Sequence, residues 1–188
     1  AEVKSGVASV SEYVTVYGKE KPIFNANILY IIGANGILDI EVAVAPAEDG
    51  EIVEDMARAG ITFEADKKFS AIEYFGRGEK ENYNDFNAHA PIGLYTAKVE
   101  DEHEPYIRPQ DNSNHSDVSY LKLKNEKGEE ILIYSDRKFN FNVHNYTQET
   151  LDKANHREDI VDEKTTFVTI DGYTKGTGTG SCGPATLP

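Results

Sequence analysis

A chain of 188 residues with 33 acidic and 19 basic side chains carries a formal charge of −14, which excludes the basic footprint of a nucleic-acid binder. It is long enough for one large domain or two small ones with a real core, and eleven Tyr and eight Phe make that core partly aromatic. The single Cys forms no internal disulfide and leaves the compartment open. No run reaches the roughly 18 apolar residues of a membrane helix, and no leader pattern stands at Ala1. The opening AEVKSG reads as a cut inside a longer chain.

In chain order, Val10–Tyr17 carries Val10, Val14 and Val16 at even spacing, the pattern of a half-buried strand. After Pro22, Asn27–Ala34 and Ile37–Ala45 flank Asn35-Gly36, which predicts a hairpin closed by a two-residue type I′ turn. Leu38, Ile40, Val42 and Val44 are expected to line one face of its second strand. Glu48–Arg58 is acidic and irregular, a loop with one helical turn. Gly60–Ala65, Lys68–Phe75 and Gly93–Val99 read as strands, separated by a long polar loop at Gly76–Pro91 and followed by another at Pro105–Asp117. Val118–Lys124 and Glu130–Ser135 predict a hairpin around Asn125–Gly128, and Lys138–Val143 a strand with Phe139, Phe141 and Val143 inward. Thr147–Asn155 is the best helix, capped by Thr147, with Leu151 and Ala154 inside. Thr165–Asp171 is the last strand, before a glycine-rich loop at Gly176–Pro184. Roughly ten strands, one short helix and no βαβ alternation predict one all-β domain, an antiparallel sandwich spanning residues 1–188.

The chemistry-bearing residues crowd onto the loops, where a β scaffold usually presents binding groups. Gly76–Asp85 reads GRGEKENYND and Pro105–Asn112 reads PYIRPQDN, and for any one of their residues the plainer reading is a turn whose Asn and Asp bond their own backbone. The glycine-rich loop lacks the Gly-Lys-Ser/Thr ending and following helix of a phosphate cradle. None of the five histidines has the spacing of a zinc helix, so no metal site and no cofactor is expected. His144 and His156 bracket the helix as buried, hydrogen-bonded structural groups, whereas His115, in a polar loop beside Asn114, is placed to meet a sugar hydroxyl. Nothing marks Cys182 as an activated nucleophile. A retaining glycosidase needs two carboxylates about 5–5.5 Å apart, and spacing among so many acids selects no pair. The residues alone reach an all-β protein with polar loops suited to a neutral ligand.

Taken together, the motifs resemble the C-terminal β-sandwich domain of family 2 β-galactosidases, which also forms the small chain of two-subunit β-galactosidases. The family's GRGP-x-ENY-x-DR is matched by Gly76-Arg77-Gly78, Glu81-Asn82-Tyr83 and Asp85. Its PYxxPQENGNR is matched by Pro105-Tyr106 and Pro109-Gln110-Asp111-Asn112. Phe139-Asn140-Phe141, Leu151, His156, Ile170-Asp171, Gly176, Gly178 and Ser181-Cys182-Gly183-Pro184 follow in order. Departures are Glu79 for Pro, Phe86, His115 and Ser119 for Arg, and Tyr120 for Trp, which point to a diverged member.

The resemblance implies a galactose-mutarotase-like supersandwich, truncated here at both ends. It implies a non-catalytic role beside a catalytic barrel domain or large subunit that carries the hydrolytic glutamates. The parent's ligand would be a galactoside, hydrolysed through a covalent intermediate, with no nucleic acid and no membrane involved. Substrate contact would fall to Ser181 and Cys182, where some members place a Trp platform, and to Asn114 and His115. Arg77, Glu81, Asn82, Asp85 and Gln110 would form a buried polar network that fixes the loops. Two other readings remain open at this point, a free-standing carbohydrate-binding module and an aldose-1-epimerase-like enzyme with His115 as its acid.

Overall fold

The structure is a computed structural model that describes residues 2–4, 6–51 and 56–175. It divides into two compact units, Ala1–Asp55 and Met56–Pro188. Among the described residues there are ten strands, β1 Glu2–Lys4, β2 Val7–Tyr17, β3 Pro22–Gly33, β4 Leu38–Pro46, β5 Arg58–Asp66, β6 Ala71–Arg77, β7 Ile92–Lys98, β8 His115–Lys124, β9 Glu130–His144 and β10 Thr165–Thr174. One α-helix, α1 Gln148–Lys153, joins them. The all-β class with a single short α-helix is the one the sequence pattern predicts.

The first unit is a four-stranded antiparallel sheet in the order β1-β2-β3-β4. Its central hairpin forms where Asn35-Gly36 predicts it, with a different turn. The Gly36 amide donates to the Gly33 carbonyl at 3.1 Å and the Gly33 amide to the Ile37 carbonyl at 2.9 Å. Gly36 alone takes a positive φ, 82°. A type I turn followed by a left-handed glycine replaces the type I′ turn, because Asn35 spends its Oδ1 on the Ile37 amide at 3.2 Å and keeps a negative φ. The β8–β9 hairpin repeats the device, with Asn125 Oδ1 accepting from the amides of Lys127 and Glu129 and Gly128 at φ 81°. The apolar face of β4 is largely exposed. Leu38, Val42 and Val44 are exposed on β4, the edge strand that pairs with β3.

The second unit is a six-stranded antiparallel sheet in the order β5-β10-β9-β8-β6-β7. Consecutive β5 and β6 lie apart, because β10 returns to pair with β5 along its length. Glu130–Ser135 and Lys138–Val143 are parts of one strand, β9, which pairs with β8 from Glu130 to Phe141, across register shifts, and with β10 over Asn140–His144. The core covers one face of this sheet. Rows Tyr95–Tyr74–Leu121–Ile133 and Phe63–Val168–Val143 run across neighbouring strands, and Phe69 and Val99 pack against them from loops. Phe139, Phe141 and Val143 point inward as their alternation predicts. Helix α1 is capped by the Thr147 hydroxyl, which accepts from the Thr150 amide at 3.1 Å, while Leu151 and Ala154 are buried. No helix among the described residues is long and apolar enough to cross a membrane.

Candidate functional site

Two loops, residues 78–91 and 102–114, lie against the end of the six-stranded sheet where β6 ends and β8 begins. Their polar side chains point mostly inward, to one another. Asn82 is fully buried and spends every polar atom of its side chain. Its Nδ2 donates to the carbonyls of Arg77 and Lys80 at 3.1 and 3.0 Å, and its Oδ1 accepts from the amide and hydroxyl of Ser116 at 2.9 and 2.6 Å. Glu81 accepts from the Tyr106 hydroxyl and, at 2.8 Å, from the Ser113 amide, so one carboxylate pins both loops. Its carbonyl accepts from His89 Nε2 at 3.0 Å. Arg77 donates through Nε to Asp117 at 2.5 Å and through Nη1 to the Ala90 carbonyl at 3.1 Å. Ser113 and Asp117 take left-handed φ values of 55° and 56°. Both are held there by the partners just named, the usual circumstance in which a non-glycine residue keeps that conformation.

The residues expected to form one network therefore separate. Glu81 and Asn82 are its buried centre and Arg77 its half-buried edge. Asp85 and Gln110 are exposed, and the Gln110 carbonyl, not its side chain, enters the network by accepting from Asn112 Nδ2 at 2.9 Å. The sequence marks all five as loop residues and gives no sign of which ones the chain folds over.

The residues expected to touch a sugar are enclosed or lie elsewhere. His115 is buried, with Nε2 donating to Glu102 at 2.8 Å and Nδ1 within 2.9 Å of the Tyr74 hydroxyl and 3.3 Å of the Arg77 carbonyl. Tyr74 is pushed above the ordinary phenol range by burial first and by the Glu102 charge second. Asn114 is also buried, its Nδ2 donating to the Asn82 carbonyl at 2.6 Å and its Oδ1 enclosed without a hydrogen-bond partner. A ring so enclosed is not placed as the acid of an aldose epimerase. Ser181, Cys182 and the rest of the Gly176–Pro184 loop lie outside the described residues. Of the two histidines beside the helix, His156 is exposed: its ring accepts from the Asp159 amide and its own amide donates to the Asp159 carboxylate at 2.9 Å, a capping box at the surface. His144 is buried as expected, yet its Nε2 has no hydrogen-bond partner.

Sequence reasoning missed Arg58, which is the hub of a second polar cluster. It reaches across three strands, donating through Nε to Asp171 of β10 at 3.0 Å and through Nη2 to Asn142 of β9 at 3.0 Å. Its Nη1 lies 3.5 Å from Asp111 of the second loop. Asn142 in turn donates to the Asn112 carbonyl at 2.7 Å, which ties that loop to the sheet. Burial pushes the Asp171 carboxyl up to about 6 against the pull of Arg58. Burial also raises Asp111, Arg58 again opposing. The only trace in the sequence is Gly60, which pairs with Asp171. A Cβ there would sit 2.3 Å from Asp171 Oδ1, so the glycine makes room for the carboxylate. Among the described residues no group of three or more His, Cys, Asp and Glu side chains is arranged to hold a metal ion.

The family described as beta galactosidase small chain matches residues 2–188. A beta-galactosidase of Actinobacillus pleuropneumoniae is 32% identical over 183 residues, which span 97% of this chain and 16% of that protein. The beta-galactosidase of Oenococcus oeni is 30% identical over 156 residues, 83% of this chain and 14% of that one. That of Kluyveromyces lactis is 32% identical over 134 residues, 71% and 13%. The chain thus spans between 13% and 16% of the length of these relatives. With a family match over nearly its whole length and this identity to β-galactosidases, the chain belongs to the β-galactosidase small-chain family.

Proposed function

We propose that this chain is the non-catalytic part of a β-galactosidase that packs on the catalytic barrel and walls one side of the galactoside pocket. The observation that carries the reading is the pairing of extents, 97% of this chain against 16% of a beta-galactosidase. A segment that small, matched almost end to end, corresponds to one part of a larger enzyme. Its acids support the same division of labour. Glycoside hydrolysis requires two carboxylates facing a sugar across an open gap. The buried carboxylates Glu81, Glu102 and Asp171 are instead each taken by fixed protein partners.

The sheet face opposite the core supplies a surface for the packing. Leu94, Phe75, Tyr120 and Tyr134 are successive cross-strand partners on β7, β6, β8 and β9. Three of them are well exposed, at 61%, 39% and 66% for Leu94, Phe75 and Tyr134. An apolar row of this length is the usual mark of an interaction surface. The test is to mix the chain with the catalytic part of a β-galactosidase that lacks the corresponding region. A stable complex on size-exclusion chromatography, with hydrolysis of a β-galactoside restored, is expected. Hydrolysis by this chain alone, or full activity of the catalytic part without it, would overturn the reading.

A further inference from the structure

A cavity of about 260 Å³ lies on the face of β5, β10 and β9 that turns away from the core. Its floor is made by two cross-strand rows, Thr62–Thr169–Asn142 and Phe167–His144. Tyr146 and Gln148 wall one side, and Arg58 and Asp111 stand at the rim. We propose that this cavity binds a single neutral sugar ring of pyranose size. The site shares only Asp111 with the loops read above as a structural network, and the proposal goes beyond the packing role.

Size sets the first limit. Pockets for drug-sized molecules run from roughly 300 to 1,000 Å³, so this one suits one ring and not a chain of them. Charge sets the second. The Arg58 guanidinium is already met by Asp171 at 2.9 Å and Asp111 at 3.5 Å, which leaves no free cation for an anionic ligand. The same guanidinium disfavours a metal ion beside Asp111. Polarity sets the third. The Thr62 and Thr169 hydroxyls share one hydrogen bond at 3.0 Å, in which either can donate, so each keeps capacity for a second partner. Asn142, Gln148, Arg58 and Asp111 add donors and acceptors, and such groups are poorly matched by a hydrocarbon ligand.

What remains is a ligand with alternating hydroxyls and an apolar face. Phe167 and Tyr146 offer the apolar contacts that face requires. The His144 ring stacks on Tyr146 with centroids 4.6 Å apart, which fixes the end of the cavity. His144 Nε2 is buried without a partner, and native structures normally satisfy such a group with water or ligand. Burial holds that imidazole neutral, so it meets a hydroxyl without demanding a counter-charge.

The experiment is a titration of the full 188-residue chain, followed by amide and histidine-ring nitrogen shifts. Galactose, glucose, glycerol and inorganic phosphate serve as the probes. The expected result is saturable millimolar binding of at least one of the two sugars, with shifts gathered on Thr62, Thr169, Phe167, Gln148 and His144. Thr169→Val should weaken it by about tenfold, the loss expected for one hydrogen bond. Gln148→Trp, at an exposed helix position, should block the mouth and leave the thermal midpoint unchanged. Non-saturating sugar shifts, saturable shifts on other residues, preference for phosphate, glycerol binding as tightly as the sugars, or full binding by Gln148→Trp would each overturn the proposal. Because the titration needs no catalytic part, its failure is distinguishable from failure of the packing role.

Discussion

Asn82 and Asn114 hold each other's backbones. The Asn82 amide donates to the Asn114 carbonyl at 2.7 Å, and Asn114 Nδ2 donates back to the Asn82 carbonyl at 2.6 Å. One residue sits in each of the two polar loops, so this exchange locks the loops together without a regular strand between them. Asn82→Ala removes four further side-chain hydrogen bonds, two to the carbonyls of Arg77 and Lys80 and two from the buried Ser116 amide and hydroxyl, which lose that partner. Unsatisfied buried groups cost roughly 1–3 kcal/mol each and are not additive, so a loss of about 3–5 kcal/mol is expected in urea denaturation. Asp85→Ala is the comparison, since contacts of an exposed carboxylate contribute less than about 1 kcal/mol. Equal midpoints for the two variants would refute the buried network.

Asp171 and His144 impose opposite pH dependences on stability. The Asp171 carboxyl rises from 3.8 to about 6, so over that window the folded chain holds a proton the unfolded chain has lost. Stability from this group is greatest below 3.8 and falls as pH rises toward 6. His144 falls from 6.5 to about 3, driven by burial first and then by the positive charges of His103, Arg58 and His115. Its contribution is complete above 6.5 and is lost as pH falls toward 3. Relative to the parent, Asp171→Asn should gain a more positive slope of stability against pH, and His144→Phe a more negative one. Denaturant midpoints measured across that window check both signs, and parallel curves would count against them.

Gly60 and Gly172 predict contrasting outcomes one strand apart. A Cβ at Gly60 meets the Ile170 carbonyl at 2.2 Å, whereas at Gly172 the nearest atom is 3.9 Å away. Gly60→Ala should cost about 1–3 kcal/mol or more, because β5 and β10 must part and Arg58 loses its aim at Asp171. Gly172→Ala should stay within about 0.5 kcal/mol of the parent. Thermal midpoints of the pair test the close approach directly.

The apolar row predicts a variant that folds and does not assemble. Phe75→Asp combined with Tyr134→Asp alters side chains on the exposed face, so the denaturation midpoint should move little. Association with the catalytic part should fall by at least tenfold, read by titration calorimetry. Unchanged association would move the packing surface to another face.

Much of the fold was legible in the residues because it rests on local chemistry. Alternation marked the strands, Asn-Gly and Asn-x-x-Gly placed both hairpins, and Thr147 with Leu151 defined the helix. The long polar loops were also visible, as were the motifs that carry the family. Tertiary structure alone decided which loop side chains are enclosed, because Glu81 and Asp85 look alike until one is covered by Tyr106 and Ser113 and the other by nothing comparable in burial. It also turned His115 from a candidate ligand contact into an enclosed partner of Glu102. Arg58 gave no local signal, since its three partners come from β10, β9 and a loop as far as 113 residues away. Periodicity reports the neighbours a residue has along the chain, whereas burial and charge pairing depend on strand order, and strand order is set by the return of β10 between β5 and β9.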